Sequence, residues 1–277
     1  MPELPELQAL SERLDALLRG EVLTRVDVLH FSALKTVDPA PSDLVGRALE
    51  GTARRGKYIS LLFDECEIVV HFSQGGRLDV EEPPKTTKPR GALVRLVFGD
   101  ERALLLREHG TERRAAMWIL TSGDEGPRAG LGPEPTDEAF ADFLLTSDDS
   151  RQLHTILRDQ RTVAGIGRGF ADDILHAARL SPLASLKSLD AAERQRLLDN
   201  VRTVLDRALA AARTRAGGLT GKLGDRFTVH GRHGSPCPRC DETLRRVSYE
   251  SREVVYCPAC QTGGKILADR RLSRLLR

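Results

Sequence analysis

Two C-x-x-C pairs near the C-terminus, "CPRC" at Cys237 and Cys240 and "CPAC" at Cys257 and Cys260, constrain this chain more than any other feature. Each pair is spaced to clasp one edge of a tetrahedral metal site. The 16-residue spacer "DETLRRVSYESREVVY" is long enough for a β-hairpin between two such knuckles. The pattern predicts one structural zinc ion per chain, held by four thiolates that leave no position for water. A module this small folds with its metal, whose binding contributes about 10–16 kcal/mol in comparable peptides. The hairpin carries Arg245, Arg246 and Arg252, which suits contact with phosphates, and a zinc ribbon used for protein contact is the competing reading.

Length and charge narrow the class. The 277 residues favour two domains, and 40% hydrophobic with 30% charged residues fits a soluble globular protein. The net charge of +2 is divided unevenly. Residues 221–277 hold 12 Lys and Arg against 6 Asp and Glu, a local +6 that leaves −4 on the first 220. A basic C-terminal block favours a polyanionic partner, although a solvated charged surface explains it equally well. No apolar run approaches the roughly 18 residues of a membrane span, and the N-terminus has no signal-peptide pattern. A cytoplasmic location without membrane attachment is the expectation, and a reducing compartment favours metal ligation over disulfides for clustered cysteines. Cys66, alone in "LFDECEIVV", reads as a small strand residue.

Periodicity divides the chain further. Leu7, Leu10, Leu14 and Leu17 mark one face of a helix from about Glu3 to Leu18. Strand-like runs follow, with hairpin signals at Phe63-Asp64-Glu65 and Phe98-Gly99-Asp100. This half is expected to form a β-sandwich or flattened barrel over residues 1–120. An acidic Gly/Pro-rich linker at 121–137 leads into helical patterns over 138–226, and 227–277 form the zinc module and a basic tail. The fold class is therefore α+β: a helix on a β-sandwich, then a helical domain, then a four-cysteine hairpin.

Two stretches carry possible chemistry. In "MPELPELQAL", Pro2 and Pro5 suit the first turn of a helix and Glu suits its dipole, which is the plain reading of the start. In "DQRTVAGIGRGFADDIL", glycines at 165, 167 and 169 precede a helix whose N-terminal N–H groups suit a phosphate. Gly-x-Gly alone also serves plain helix-to-helix turns.

Together, the "PELPE" start, "RRGKY" around Lys57, the "DQ…AGIG" turn, "VHGRHGSPC" and "YCPACQ" resemble the formamidopyrimidine-DNA glycosylase/endonuclease VIII family over essentially the whole chain. The resemblance implies a β-sandwich joined to a helix–two-turn–helix domain with a zinc finger. It also implies removal of a damaged base from double-stranded DNA and cleavage at the abasic sugar, by a monomer acting at the nucleoid.

The implied chemistry gives the opening proline a purpose. Once Met1 is removed, Pro2 has a secondary α-amine with a pKa of about 7.7–8.0, against about 10.4 for lysine. Its nucleophilic fraction at pH 7 is then a few hundred times, to order of magnitude, that of lysine. Attack on the sugar C1′ expels the base and leaves an iminium that drives β-elimination. By resemblance, Glu3 shuttles protons, Glu6 supports the site, Lys57 donates a proton and contacts phosphate, and Arg252 serves the second, δ-elimination. Likewise by resemblance, His71 contacts a phosphate and Gln74, Arg113 and Arg168 occupy positions the family sets against DNA, while Arg245 is expected on DNA from the basic hairpin it sits in.

Some positions depart from the family. Arg168 stands where asparagine is usual, Gln74 where methionine is usual, and Ala115 where an aromatic wedge is usual. Flipping a base costs a few kcal/mol, which such wedges partly offset. The departures imply either bulkier or already destabilised lesions, or abasic and single-stranded substrates. A DNA-binding protein without catalysis is the remaining alternative, and the joint presence of Pro2, Glu3 and Lys57 argues against it. In the tail, Leu267, Leu272, Leu275 and Leu276 with interspersed arginines predict a short basic helix.

Overall fold

The computed structural model describes residues 1–109, 114–215, 226–249 and 252–268. Arg113, the side chain of Arg252, residues 216–225 and the tail from 269 onward lie outside the described residues. The chain forms two compact units, one of Met1–Gly130 with a segment beginning at Leu209, the other of Leu131–Ala208 with residues from Gly224 onward.

In the first unit, helix α1 (Leu4–Leu18) precedes two four-stranded antiparallel sheets. One sheet orders β1 (Leu23–Val28), β6 (Ala92–Phe98), β7 (Arg102–Glu108) and β5 (Gly76–Glu81). The other orders β2 (Gly51–Arg55), β3 (Tyr58–Phe63), β4 (Cys66–His71) and β8 (Ala116–Thr121). Both hairpin signals form turns. Phe63 pairs with Cys66 around Asp64-Glu65, and Phe98 pairs with Arg102 after Gly99, whose φ of +55° suits glycine. Leu10 and Leu14 of α1 share one core with Leu61 and Ile68 of one sheet and Val94 and Leu104 of the other. The two sheets and the helix therefore form a sandwich with a helical flank. The start of the acidic 121–137 stretch is pinned rather than loose: Arg128 donates to Ser60 Oγ at 2.9 Å and forms an ion pair with Glu67.

In the second unit, α2 (Glu138–Thr146), α3 (Leu153–Arg158), α4 (Arg168–Ala177) and the first part of α5 (Ala191–Thr214) bury Phe140, Ile156, Phe170, Ile174 and Val201 together. Strands β9 (Arg245–Tyr249) and β10 (Arg252–Tyr256) form the expected hairpin, followed by the short helix α6 (Pro258–Thr262). Helices and hairpin cluster as one body because two adjacent acids of α4 reach into the cysteine segment, as described below.

Candidate active site and metal centre

The N-terminus is built into the fold. Pro2 and Glu3 are buried, Glu3 at 5% exposure, while Met1 is exposed. Glu3 caps α1, and its backbone N–H donates to Glu6 Oε2 at 2.8 Å. This bond satisfies one of the donors a helix start leaves open and sets the direction of the chain at residues 2 and 3.

Polar contacts along α1 show where that start points. Asp15 accepts the Thr52 N–H at 2.9 Å, Ser11 and Thr52 hydroxyls meet at 2.9 Å, and Arg54 Nε donates to Gln8 Oε1 at 3.0 Å. Moving toward the N-terminus of α1 therefore means moving up β2.

Lys57 is 6% exposed, so two residues of opposite charge, Glu3 and Lys57, are withdrawn from water in this unit. Buried charges are costly unless partnered, and such sites are where proton chemistry concentrates. His71, half-buried, pairs across the strands with Tyr58, the ring centroids 4.9 Å apart. Burial and the nearby Lys57 charge push its pKa down to about 4, so the ring is neutral at pH 7 and offers one N–H. Gln74 is exposed, one residue past Ser73, which has a φ of +50°. Ala115 is not at the surface: it is 1% exposed, and its N–H donates to Glu108 Oε2 at 2.7 Å. The described residues at 74 and 115 thus present no apolar wedge.

In the second unit, Gln160 builds the glycine turn. Its amide donates to the Ile166 carbonyl at 2.7 Å and accepts from Gly165 N–H at 3.0 Å, where Gly165 has a φ of +93°. Gly167 caps α4 and Arg168 begins it, its side chain exposed at the first turn. Gly169 leaves room for Phe227, since a Cβ there would lie 2.1 Å from the ring. Arg245 is exposed at the start of β9.

The four cysteine sulfurs all lie within 4.8 Å of one another, with contacts of 3.4, 3.5 and 3.9 Å among them. A tetrahedron with Zn–S of about 2.3 Å has edges of about 3.8 Å, so these residues fit such an ion. In the second knuckle, the Cys260 N–H donates to Cys257 Sγ.

Three residues that sequence reasoning did not single out hold this module to α4. Asp173 accepts the N–H groups of Thr228, Val229 and His230 at 2.6, 2.9 and 3.2 Å. Asp172 accepts from His230 Nδ1 at 2.6 Å and from the Val255 N–H of β10 at 3.2 Å. His176 Nε2 lies 3.2 Å from Cys237 Sγ. Gln261, by contrast, was visible only as the end of a motif: it accepts from Cys257 N–H and donates to the Leu180 carbonyl.

Comparison with known proteins agrees with this anatomy. The profile of the formamidopyrimidine-DNA glycosylase N-terminal domain matches residues 1–114, and that of the formamidopyrimidine-DNA glycosylase H2TH domain matches 131–217. The formamidopyrimidine-DNA glycosylase of Moorella thermoacetica is 34% identical over 262 residues, covering 89% of this chain and 94% of the relative. That of Thermus thermophilus is 34% identical, covering 95% and 100%. An uncharacterized formamidopyrimidine-DNA glycosylase-like protein of Mycobacterium tuberculosis is 40% identical over 158 residues, 56% of this chain and 99% of the relative. Among solved structures, the Lactococcus lactis Fpg in complex with an abasic-site-containing DNA superimposes with a TM-score of 0.82 at 21% identity, covering 94% of this chain and 99% of that one. That likeness speaks for the fold, and the matched domains and full-length relatives for descent: the chain belongs to the formamidopyrimidine-DNA glycosylase family.

Proposed function

We propose that this chain is a base-excision-repair DNA glycosylase with abasic-site lyase activity. The observation that carries the reading is the N-terminus itself: a buried Pro2-Glu3 start, its Glu3 N–H held by Glu6, in the unit that also buries Lys57. After Met1 is cleaved, the Pro2 amine attacks C1′ of the damaged nucleoside and the base leaves with the glycosidic electron pair. Glu3 moves the proton at the sugar, and Lys57 supplies a proton and a phosphate contact. The C1′–O4′ bond then breaks, O4′ taking a proton, and the iminium that forms withdraws electrons as the strand breaks by β-elimination, with Arg252 assisting the δ-step.

Duplex DNA is the partner. Arg168 at the start of α4 and Arg245, both exposed, are suited to phosphates, while the neutral His71 donates one N–H to another. Cys237, Cys240, Cys257 and Cys260 would hold one zinc ion, which supplies structural charge rather than a reaction centre. The basic finger makes binding salt-sensitive, because each neutralised phosphate releases counterions.

The substrate preference follows from the missing wedges. With Gln74 at the tip of its turn and Ala115 in the core, the described residues at these positions offer little to replace a stacked base. Lesions that are already unstacked, alkylated, crosslinked or abasic are the favoured substrates. Borohydride capture tests the central reading. A covalent adduct should form with wild type whose Met1 removal is checked by mass, and not with Pro2→Gly; no adduct on any damaged or abasic duplex overturns it.

A further inference from the structure

We infer that His176 is a positioning residue of the metal centre, donating its Nε2–H to the Cys237 sulfur and thereby joining the ligand set to helix α4. The inference rests on the reading of the four cysteines as a metal site. His176 and Cys237 are 61 positions apart, 3% and 0% exposed, with Nε2 and Sγ 3.2 Å apart. A metal-bound cysteine is a thiolate with no proton to give, so the imidazole is the donor in this pair. Four thiolates around a dication leave a net charge of about −2, and a charge-assisted N–H···S bond stabilises that excess where water is excluded.

The contact is reciprocal. Arg239, inside the first knuckle between Cys237 and Cys240, donates back to the His176 carbonyl at 2.9 Å. One residue at the C-terminal end of α4 therefore contacts the first knuckle through both ring and backbone. The second knuckle has its own support in Gln261. Asp172 and Asp173 hold the rest of the module through separate bonds, so loss of the His176 ring contact leaves the docking in place. His176 also lies in the last turn of the helix that begins at Arg168, which makes the metal centre and that helix one mechanical element.

The test uses the whole chain loaded with zinc, cobalt(II) or ¹¹³Cd. His176→Phe preserves ring volume without a donor, while His176→Gln places an amide N–H at about the same reach. Outer-sphere partners of metal ligands are typically worth about 10–100-fold in affinity. Zinc affinity of His176→Phe, by competition with a chelating dye, should fall within that range, and His176→Gln should recover most of it. The sulfur-to-cobalt charge-transfer band should shift in the Phe variant and return in the Gln variant. In wild type loaded with ¹¹³Cd, the His176 ring N–H should couple to the cadmium across the sulfur, a measurement that needs no variant. Unchanged affinity and band in His176→Phe, or no coupling in wild type, overturn the inference while leaving the metal site standing. Failure of wild type to bind any of the three metals overturns the metal reading itself.

Discussion

Removing the Asp173 carboxylate tests whether the loop before the first knuckle is held by one side chain. Asp173 Oδ1 accepts from Val229 and His230, and Oδ2 accepts from Thr228. Val229 is fully buried, so in Asp173→Ala its N–H loses its acceptor without gaining water, at about 1–3 kcal/mol. The other two N–H groups, on exposed Thr228 and half-buried His230, lose about 0.5–1.5 kcal/mol each. Burial is the largest influence on the Asp173 carboxyl and pushes its pKa up, against the pull of its three N–H partners, so removal also returns some desolvation energy. The net local destabilisation is about 2–4 kcal/mol, which lowers amide protection at Val229 by about 30- to 1,000-fold. Asp173→Asn keeps the two bonds to Oδ1 and opposes an amide N–H to that of Thr228, so its loss should centre on residue 228. The sign of the pH dependence follows: a folded pKa above the unfolded one favours the wild type at acid pH and is lost as pH rises through the folded value. Asn should therefore gain on Asp between acid and neutral pH. Hydrogen exchange read at residues 228–230 is the assay. Unchanged protection at Val229 in Asp173→Ala, with the metal bound, would refute the reasoning.

Other perturbations probe other parts. Glu6→Ala removes the acceptor for the Glu3 N–H and should slow single-turnover borohydride capture by about 10–100-fold with duplex affinity unchanged, since misplaced reacting groups cost rate before binding. Loss of affinity with an intact rate would contradict a steering role. His71, depressed to about 4, binds fewer protons folded than unfolded; its contribution to stability is present above about pH 6.5 and is lost as pH falls toward 4. Melting curves of His71→Phe should show a flatter acid limb than wild type. Chelation should abolish protection of the β9–β10 hairpin while sparing the β-sandwich, as exchange mapping of the loaded and stripped chain would reveal.

Much of the architecture was legible because its signals are local. Leucine spacing placed α1 within a residue of its observed start, and the β3–β4 and β6–β7 turns sit where short polar or glycine-bearing breaks interrupt apolar runs. The cysteine pairs were readable for the same reason, since a knuckle is closed by two residues three apart. The resemblance supplied the candidate roles of Pro2, Glu3 and Lys57, but burial and the link from Glu6 to the Glu3 backbone came from the structure. That Ala115 stands where an aromatic wedge is usual was legible, but its burial and the bond from its N–H to Glu108 of β7 came from the structure.

Spacing along the chain determined the helices, the hairpin turns, the four-sulfur cluster and the family. These rest on interactions between residues a few positions apart, whose geometry covalent structure and helical or extended periods dictate. Tertiary packing alone decided that Asp172, Asp173 and His176 clamp a segment 55 to 83 positions away, and that Glu3 and Lys57 are shut off from water. An acid or imidazole acquires such a role only from what the fold sets against it, because a buried polar group must find its partner wherever the chain brings one.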